Sequence, residues 1–249
     1  MYLVTGYEPF DDHERNPSAT LAETFDGRRV GGTAVVGRVL PVVFGEAESE
    51  MESLLDEYDP DAVVMTGLAP ERTAVCLERV AINVDDTITV PDNAENEPEA
   101  QPIDEGGPDA RFATLPVGEC VESLLEDGIP ARLSNTAGTH LCNHLTYVTL
   151  GLLEGRAGEQ SRAGGDGGDA GAGGDDGDAD AGGDGGDDDA GSPAPVDVPA
   201  GFVHLPYTPK MAASKAAAGN AHRGGEVPPS LPLETQRRAL EVVLETISE

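Results

Sequence analysis

The run Ala62-Val63-Val64-Met65-Thr66-Gly67 restricts the possible folds of this chain more than any other stretch. It is apolar at consecutive positions, with no alternation between an inner and an outer face. A strand of that kind is buried on both sides, which calls for a parallel sheet covered by helices on both faces. The neighbouring segments agree. Tyr2 to Thr5 and Thr33 to Val43 read as strands, Ala74 to Val84 is strand-like, and short strands precede Ser134 and span Ala200 to Pro206. Between them lie helical patterns: one starting at Asn16-Pro17-Ser18, one over Glu46 to Tyr58, one over Val117 to Asp127 and a last one over Leu231 to Ile247. Pro91 to Pro108 and Lys210 to Pro229 read as loops. Strands alternating with helices predict α/β architecture, and 249 residues suit one large domain or two small ones.

After Gly155 the composition changes abruptly, and residues 163–191 contain only Gly, Ala and Asp. No side chain there is larger than Asp, so no burial offsets the entropy lost on ordering. A disordered acidic insertion is expected over residues 159–198. Calcium-binding glycine repeats are excluded, because each such repeat carries a large apolar residue to fill a core.

The formal net charge is −32, and Lys210 and Lys215 are the only lysines. Such a surface repels phosphates and argues against nucleic acid as a partner. An acidic, lysine-poor exterior stays hydrated in concentrated salt, which also screens its self-repulsion. These features predict a cytoplasmic protein of a salt-loving organism. No apolar run reaches the length of about 18 residues that a membrane span needs. The opening Met1-Tyr2-Leu3-Val4-Thr5-Gly6 lacks a basic leader and reads as a first strand. Cys76, Cys120 and Cys142 are odd in number and scattered, which fits reduced thiols in a cytosol.

Residues 134–147 concentrate the chemistry. Turn-forming Ser134, Asn135, Thr136 and Gly138 lead into a helix in which Leu141, Leu145, Val148 and Leu152 share a face. Cys142 falls in its first turn, where unpaired backbone N–H groups and the helix dipole favour a thiolate and can hold an oxyanion. The same residue type also fits a buried small hydrophobe. His140, Cys142 and His144 spell H-x-C-x-H, but those positions do not share a helix face and no further ligands lie nearby, so no metal is expected.

Five histidines compete as the base. His140 and His144 point away from a thiol between them on a helix, and His13 and His222 lie in polar loops. His204 sits near the end of a strand, where sites form in such sheets. Glu78 interrupts an apolar run, either as a solvent-facing residue of an alternating strand or as a carboxylate that orients a histidine. Tyr7 and Phe10, just past the first strand, either line a pocket or anchor their loop.

Four segments together resemble pyroglutamyl peptidase I, also called pyrrolidone carboxylate peptidase. They are Thr5-Gly6-Tyr7-Glu8-Pro9-Phe10 with Asn16-Pro17-Ser18, Glu78-Arg79-Val80-Ala81-Ile82-Asn83, Ser134 to Asn143, and Gly201-Phe202-Val203-His204-Leu205-Pro206. The resemblance implies a single α/β domain over residues 1–249 with a twisted, mixed, mostly parallel sheet. It implies a cysteine peptidase that removes an N-terminal pyroglutamyl residue from peptides. Cys142, His204 and Glu78 would form its triad, and Tyr7 and Phe10 would pack on the lactam ring, with Asn16 of the same motif counted at the substrate site. No metal or cofactor is implied, and a homotetramer is. Asp11-Asp12 stands where the family usually has two glycines, the loop Gly67 to Arg72 loses a glutamine, and His140 replaces an aromatic. These differences motivate two further readings: a related cysteine amidase with another acyl or lactam preference, and a binding module without turnover.

Overall fold

In chain order the first elements are β1 (Tyr2–Tyr7), α1 (Pro17–Phe25), β2 (Arg29–Val30), β3 (Thr33–Leu40), α2 (Glu46–Tyr58) and β4 (Ala62–Leu68). They are followed by β5 (Val75–Glu78), β6 (Val80–Ile82), β7 (Ala110–Phe112), α3 (Val117–Glu126) and β8 (Ala131–Ser134). Last come α4 (Leu141–Gly164), β9 (Ala200–Leu205), α5 (Pro209–Ala218) and α6 (Leu233–Ile247). The computed structural model describes residues 1–70, 72–88, 90–164, 197–219, 221 and 224–248.

The main sheet has seven strands in the order β2-β3-β1-β4-β9-β5-β8. β3, β1, β4 and β9 run parallel, β5 runs antiparallel to β9 and parallel to β8, and β2 is antiparallel to β3. The sheet is therefore mixed and mostly parallel, in a single α/β domain. β1, β4 and β9 are buried at every position, as consecutive apolar residues require.

Alternation along these strands builds two cores. Val4, Val64, Leu77 and Val203 pack with Leu21 and Phe25 of α1, Leu124 of α3 and Leu240 and Val243 of α6. Their chain neighbours Leu3, Val63, Met65 and Phe202 point the other way, onto Met51 and Leu55 of α2 and Leu145 and Leu153 of α4. Each such side chain, fully removed from water, contributes roughly 1.5–3 kcal/mol before entropy is counted. β1 and α1 approach so closely that a Cβ on Gly6 would lie 2.2 Å from the Ser18 carbonyl oxygen. Asn16 starts α1 as its cap, accepting from Ser18 N, and Pro17 fills the first helical position.

Three segments depart from the sequence expectations. The expected loop from Lys210 begins instead as α5, capped by Thr208 with Pro209 in its first turn. Its Ala-rich sequence favours helix without an apolar stripe, so periodicity misses it. The strand-like Ala74 to Val84 splits at Arg79: β5 joins the main sheet, while β6 pairs with the short, unforeseen β7. α4 continues to Gly164, past the expected start of the acidic insertion. The rest of that insertion up to residue 196 lies outside the described residues.

Candidate active site

Cys142 is the second residue of α4, which starts immediately after the turn over residues 134–140. That turn is held from several sides. The Tyr7 hydroxyl donates to Leu141 O at 2.9 Å. Asn143 Nδ2 donates to Ile82 O and Val84 O at 2.8 and 3.0 Å, and its Oδ1 accepts from Ile82 N at 2.9 Å. Thr139 Oγ1 donates to Asp86 O at 2.8 Å. The backbone N–H groups of Leu141 and Cys142 have no hydrogen-bond acceptor among the described residues, as the first turn of a helix leaves them.

Beneath this turn lie the ends of β5 and β9. Leu77 faces the α1 layer, so Glu78, the next residue, faces α4. In the antiparallel register Glu78 pairs with Phe202 and Cys76 with His204, which makes Glu78 and His204 diagonal neighbours on one face. Glu78 is fully buried and His204 is 4% exposed. His204 Nδ1 lies 2.8 Å from Glu78 Oε1; the carboxylate accepts, so Nδ1 carries the proton, and Nε2 remains for the sulfur. The Cys142 side chain acts electrostatically on the same imidazole. Burial alone would lower the His204 pKa. The Cys142 sulfur and the Glu78 carboxylate outweigh it and push the value up to about 9. Arg72 adds a third charge: its Nη2 donates to Thr136 O at 3.0 Å and stands 3.6 Å from Glu78 Oε1.

Beside the sulfur is a narrow cleft walled by Tyr7, Phe10, Val42, Leu68 and Leu141. Asn16 and His140 complete it. Asn16 turns its polar atoms into its own loop: Oδ1 accepts from Ser18 N and Oγ, and Nδ2 donates to Glu8 O. A larger groove of about 750 Å³ lies between α2 and α4, lined by Glu48, Glu52, Asp56, Asp104 and Arg111 among others. It holds none of the candidate site residues.

The sequence and the fold have close counterparts. The model of the pyroglutamyl peptidase family matches residues 1–164. The chain belongs to the pyroglutamyl peptidase family. It is 35% identical over 247 residues to the pyrrolidone-carboxylate peptidase of Pyrococcus furiosus, covering 99% of this chain and 97% of that one. It is 37% identical over 244 residues to the pyrrolidone-carboxylate peptidase of Escherichia fergusonii, covering 98% and 91%. A crystal structure of pyrrolidone carboxyl peptidase from Pyrococcus furiosus superposes with a TM-score of 0.76 at 34% identity, covering 98% of this chain and 96% of that one.

Within this pyroglutamyl peptidase fold, the sequence-predicted Cys142, His204 and Glu78 come together, with Tyr7 and Phe10 in the adjoining cleft. Glu78 does not face solvent as an alternating strand would have it. His144 turns from the sulfur, its Nδ1 2.8 Å from Asp85 Oδ2. His13 is packed between the rings of Phe10 and Tyr207, at centroid distances of 5.6 and 5.5 Å, and is less polar in setting than its loop suggested. His222 lies outside the described residues. The H-x-C-x-H residues are engaged separately: His140 lies against Val90 O and His144 against Asp85, while Cys142 acts electrostatically on His204. Asp11, Asp12 and His13 bring ligand atoms within 4.8 Å of one another, but Asp12 is already paired with Lys215.

Gly67, Asn143 and His140 were not among the sequence-predicted site residues. Gly67 sits under the thiol, where a Cβ would lie 3.0 Å from Cys142 Sγ and 2.7 Å from Phe202 Cζ. Asn143 could have been suspected only from its place next to Cys142, since its partners lie 59–61 residues away.

Proposed function

We propose that this chain is a cysteine peptidase that hydrolyses the bond after an N-terminal pyroglutamyl residue, with Cys142 as nucleophile, His204 as base and acid, and Glu78 as orienting carboxylate. The observation that carries this reading is the buried Glu78–His204 pair, Nδ1 2.8 Å from Oε1, whose imidazole is raised in pKa by Cys142 at the edge of an apolar cleft. The near full-length likeness to pyrrolidone-carboxylate peptidases supports the substrate class.

In the proposed reaction the Cys142 thiolate attacks the carbonyl carbon that joins pyroglutamate to the next residue. The oxyanion settles on the unpaired N–H groups of the first turn of α4. The His204 imidazolium then gives its proton to the departing amine as the C–N bond breaks, leaving a thioester. Water, deprotonated by His204, attacks that thioester and releases pyroglutamate, and the proton returns to the imidazole–sulfur pair. Glu78 steadies the positive ring throughout. Tyr7 and Phe10 flank the lactam, while Asn16 acts by fixing the loop that carries Phe10. Because the sulfur must meet the carbonyl within a narrow range, Gly67→Ala is expected to lower kcat/KM about tenfold or more by displacing Sγ. Unchanged kinetics in that variant would show that the space under the thiol is not needed.

The reading includes a cytoplasmic site in a salt-loving cell, supported by the charge of −32 and the free Cys76, Cys120 and Cys142. It also includes a homotetramer, following the family resemblance. The test is release of a chromophore from a pyroglutamyl anilide in molar salt, with light scattering on the same sample expected to report four copies. Dilution to about 10 mM salt lengthens the Debye length from about 3 to about 30 Å. Self-repulsion is then unscreened, and Tm is expected to fall by about 10 °C or more with activity lost alongside it. An unchanged Tm removes the salt-loving reading. Hydrolysis of other small acyl anilides but not the pyroglutamyl one replaces the substrate class with that of a related amidase.

A further inference from the structure

We propose that Arg72 is a positioning residue of the site: its guanidinium shares the Glu78 carboxylate with His204 and ties it to the turn that leads to Cys142. This rests on the reading of Glu78, His204 and Cys142 as a triad and adds a fourth residue, one that sets how firmly the imidazole keeps its proton. A general acid has to release its proton to the departing amine. A buried carboxylate with no other partner holds an imidazolium tightly and opposes that release. A second cation on the same carboxylate weakens the hold.

Arg72 comes from the loop after β4. That loop is tied to β9, the strand of His204, where Ala69 N donates to Leu205 O at 2.8 Å. It then turns back, as Arg72 N donates to Ala69 O at 3.1 Å. The Arg72 side chain is mostly buried, and its Nη2 stands 3.6 Å from Glu78 Oε1. That is the same oxygen that accepts from His204 Nδ1 at 2.8 Å. Both cations therefore draw on one oxygen of a fully buried carboxylate. The same Nη2 donates to Thr136 O at 3.0 Å, which also accepts from Ser134 Oγ at 3.2 Å. Ser134 of β8 is the register partner of Glu78 on β5, so guanidinium, carboxylate and turn form one unit. Other ionisable groups face the site from the remaining elements. Arg132 of β8 donates from Nε to Cys76 Sγ of β5 at 3.2 Å and acts on Glu78 through space. The Tyr7 hydroxyl of β1 donates to Leu141 O, and Cys142 of α4 acts on the imidazole electrostatically. The cleft beside the sulfur is walled by other residues, so the effect of Arg72 falls on the reaction and not on binding of the ring.

The test is the pH profile of kcat/KM on the pyroglutamyl anilide in molar salt, with NMR of the His204 imidazole alongside. Removing the Arg72 charge leaves Glu78 to His204 alone and takes a repelling cation away from the ring. In Arg72→Gln the imidazole should thus hold its proton to higher pH, and the alkaline limb should move up from about 9 to about 9.5 or beyond. Loss of the Glu78 charge acts in the opposite direction. At neutral pH kcat should fall about tenfold, with KM within about twofold of wild type. Arg72→Lys keeps a charge without the planar fork, so it should return the limb to near 9 and recover part of the rate. The limb belongs to the folded fraction, so partial misfolding does not move it. A limb and an imidazole titration both unmoved in Arg72→Gln would mean that Arg72 only braces the turn, and would overturn the assignment. A move to lower pH, or an equal move in Arg72→Lys, overturns it as well. A wild type inactive on the anilide overturns instead the reading of the triad; the NMR titration then decides by itself whether Arg72 acts on His204.

Discussion

Cys142→Ala is expected to lower turnover of a pyroglutamyl anilide by on the order of 10⁴-fold or more, with Tm within about 4 °C of wild type. The size follows from the absence of a substitute. Cys76 and Cys120 are fully buried, and burial pushes the Cys120 thiol up to about 12, so neither supplies a nucleophile at neutral pH. The small stability change follows from position, since Cys142 is only partly buried and packs at the margin of its core. The variant carries a second readout. The Cys142 sulfur is one of the groups that hold the His204 pKa near 9, so its removal should lower that value, followed by NMR of the imidazole. Iodoacetamide should label native wild type at Cys142 alone, because the other two thiols are shut away from solvent. Retained activity in Cys142→Ala would end the proposed mechanism. A wild type that is labelled at Cys142 yet releases no product would leave a binding module on the same fold.

The parts of the molecule legible in its sequence are those whose causes are local. β4 could be read as doubly buried because apolar residues follow one another, and α2 because its apolar residues recur at helical spacing. α5 was missed because its stability comes from a cap and alanine propensity, which leave no periodic trace. β7 was missed because three residues between loops become a strand only when β6 is there to pair with. The site divides in the same way. Cys142 announces itself through the turn and helix around it. The burial of Glu78 could not be read from its strand, because alternation fits an exposed acid equally well. Only the register with β9 turns that residue toward His204. In the sequence His140 points away from the sulfur as a base and stands where an aromatic is usual, which marks its loop as a border of the pocket without giving the ring a partner. Its place in the cleft depends on Val90, 50 residues earlier, whose carbonyl holds one ring nitrogen.

Glu78→Gln separates what the carboxylate does for catalysis from what it does for stability. The amide is of similar shape and can still accept from His204 Nδ1, but it carries no charge. Turnover is expected to fall by on the order of 10²–10⁴-fold, because the imidazolium that forms during the reaction loses its counter-charge. The pH profile fixes the cause. In wild type the folded His204 holds its proton up to about 9, above the ordinary 6.5. Its stabilising pair is therefore complete below about 6.5 and is lost as pH rises through about 9. The alkaline limb of kcat/KM should accordingly lie near 9 in wild type and move to lower pH in Glu78→Gln, where burial is less strongly opposed. Stability should not follow activity. A fully buried carboxylate carries a desolvation penalty, and Glu78 Oε2 has no hydrogen-bond partner among the described residues. The variant should thus be less stable than wild type mainly below about pH 6.5, with the gap closing or reversing above about pH 9. Thermal melts across pH measure this directly. A uniform loss of Tm with an unmoved alkaline limb would mean that Glu78 serves packing alone, and the positive ring of His204 would then need another source.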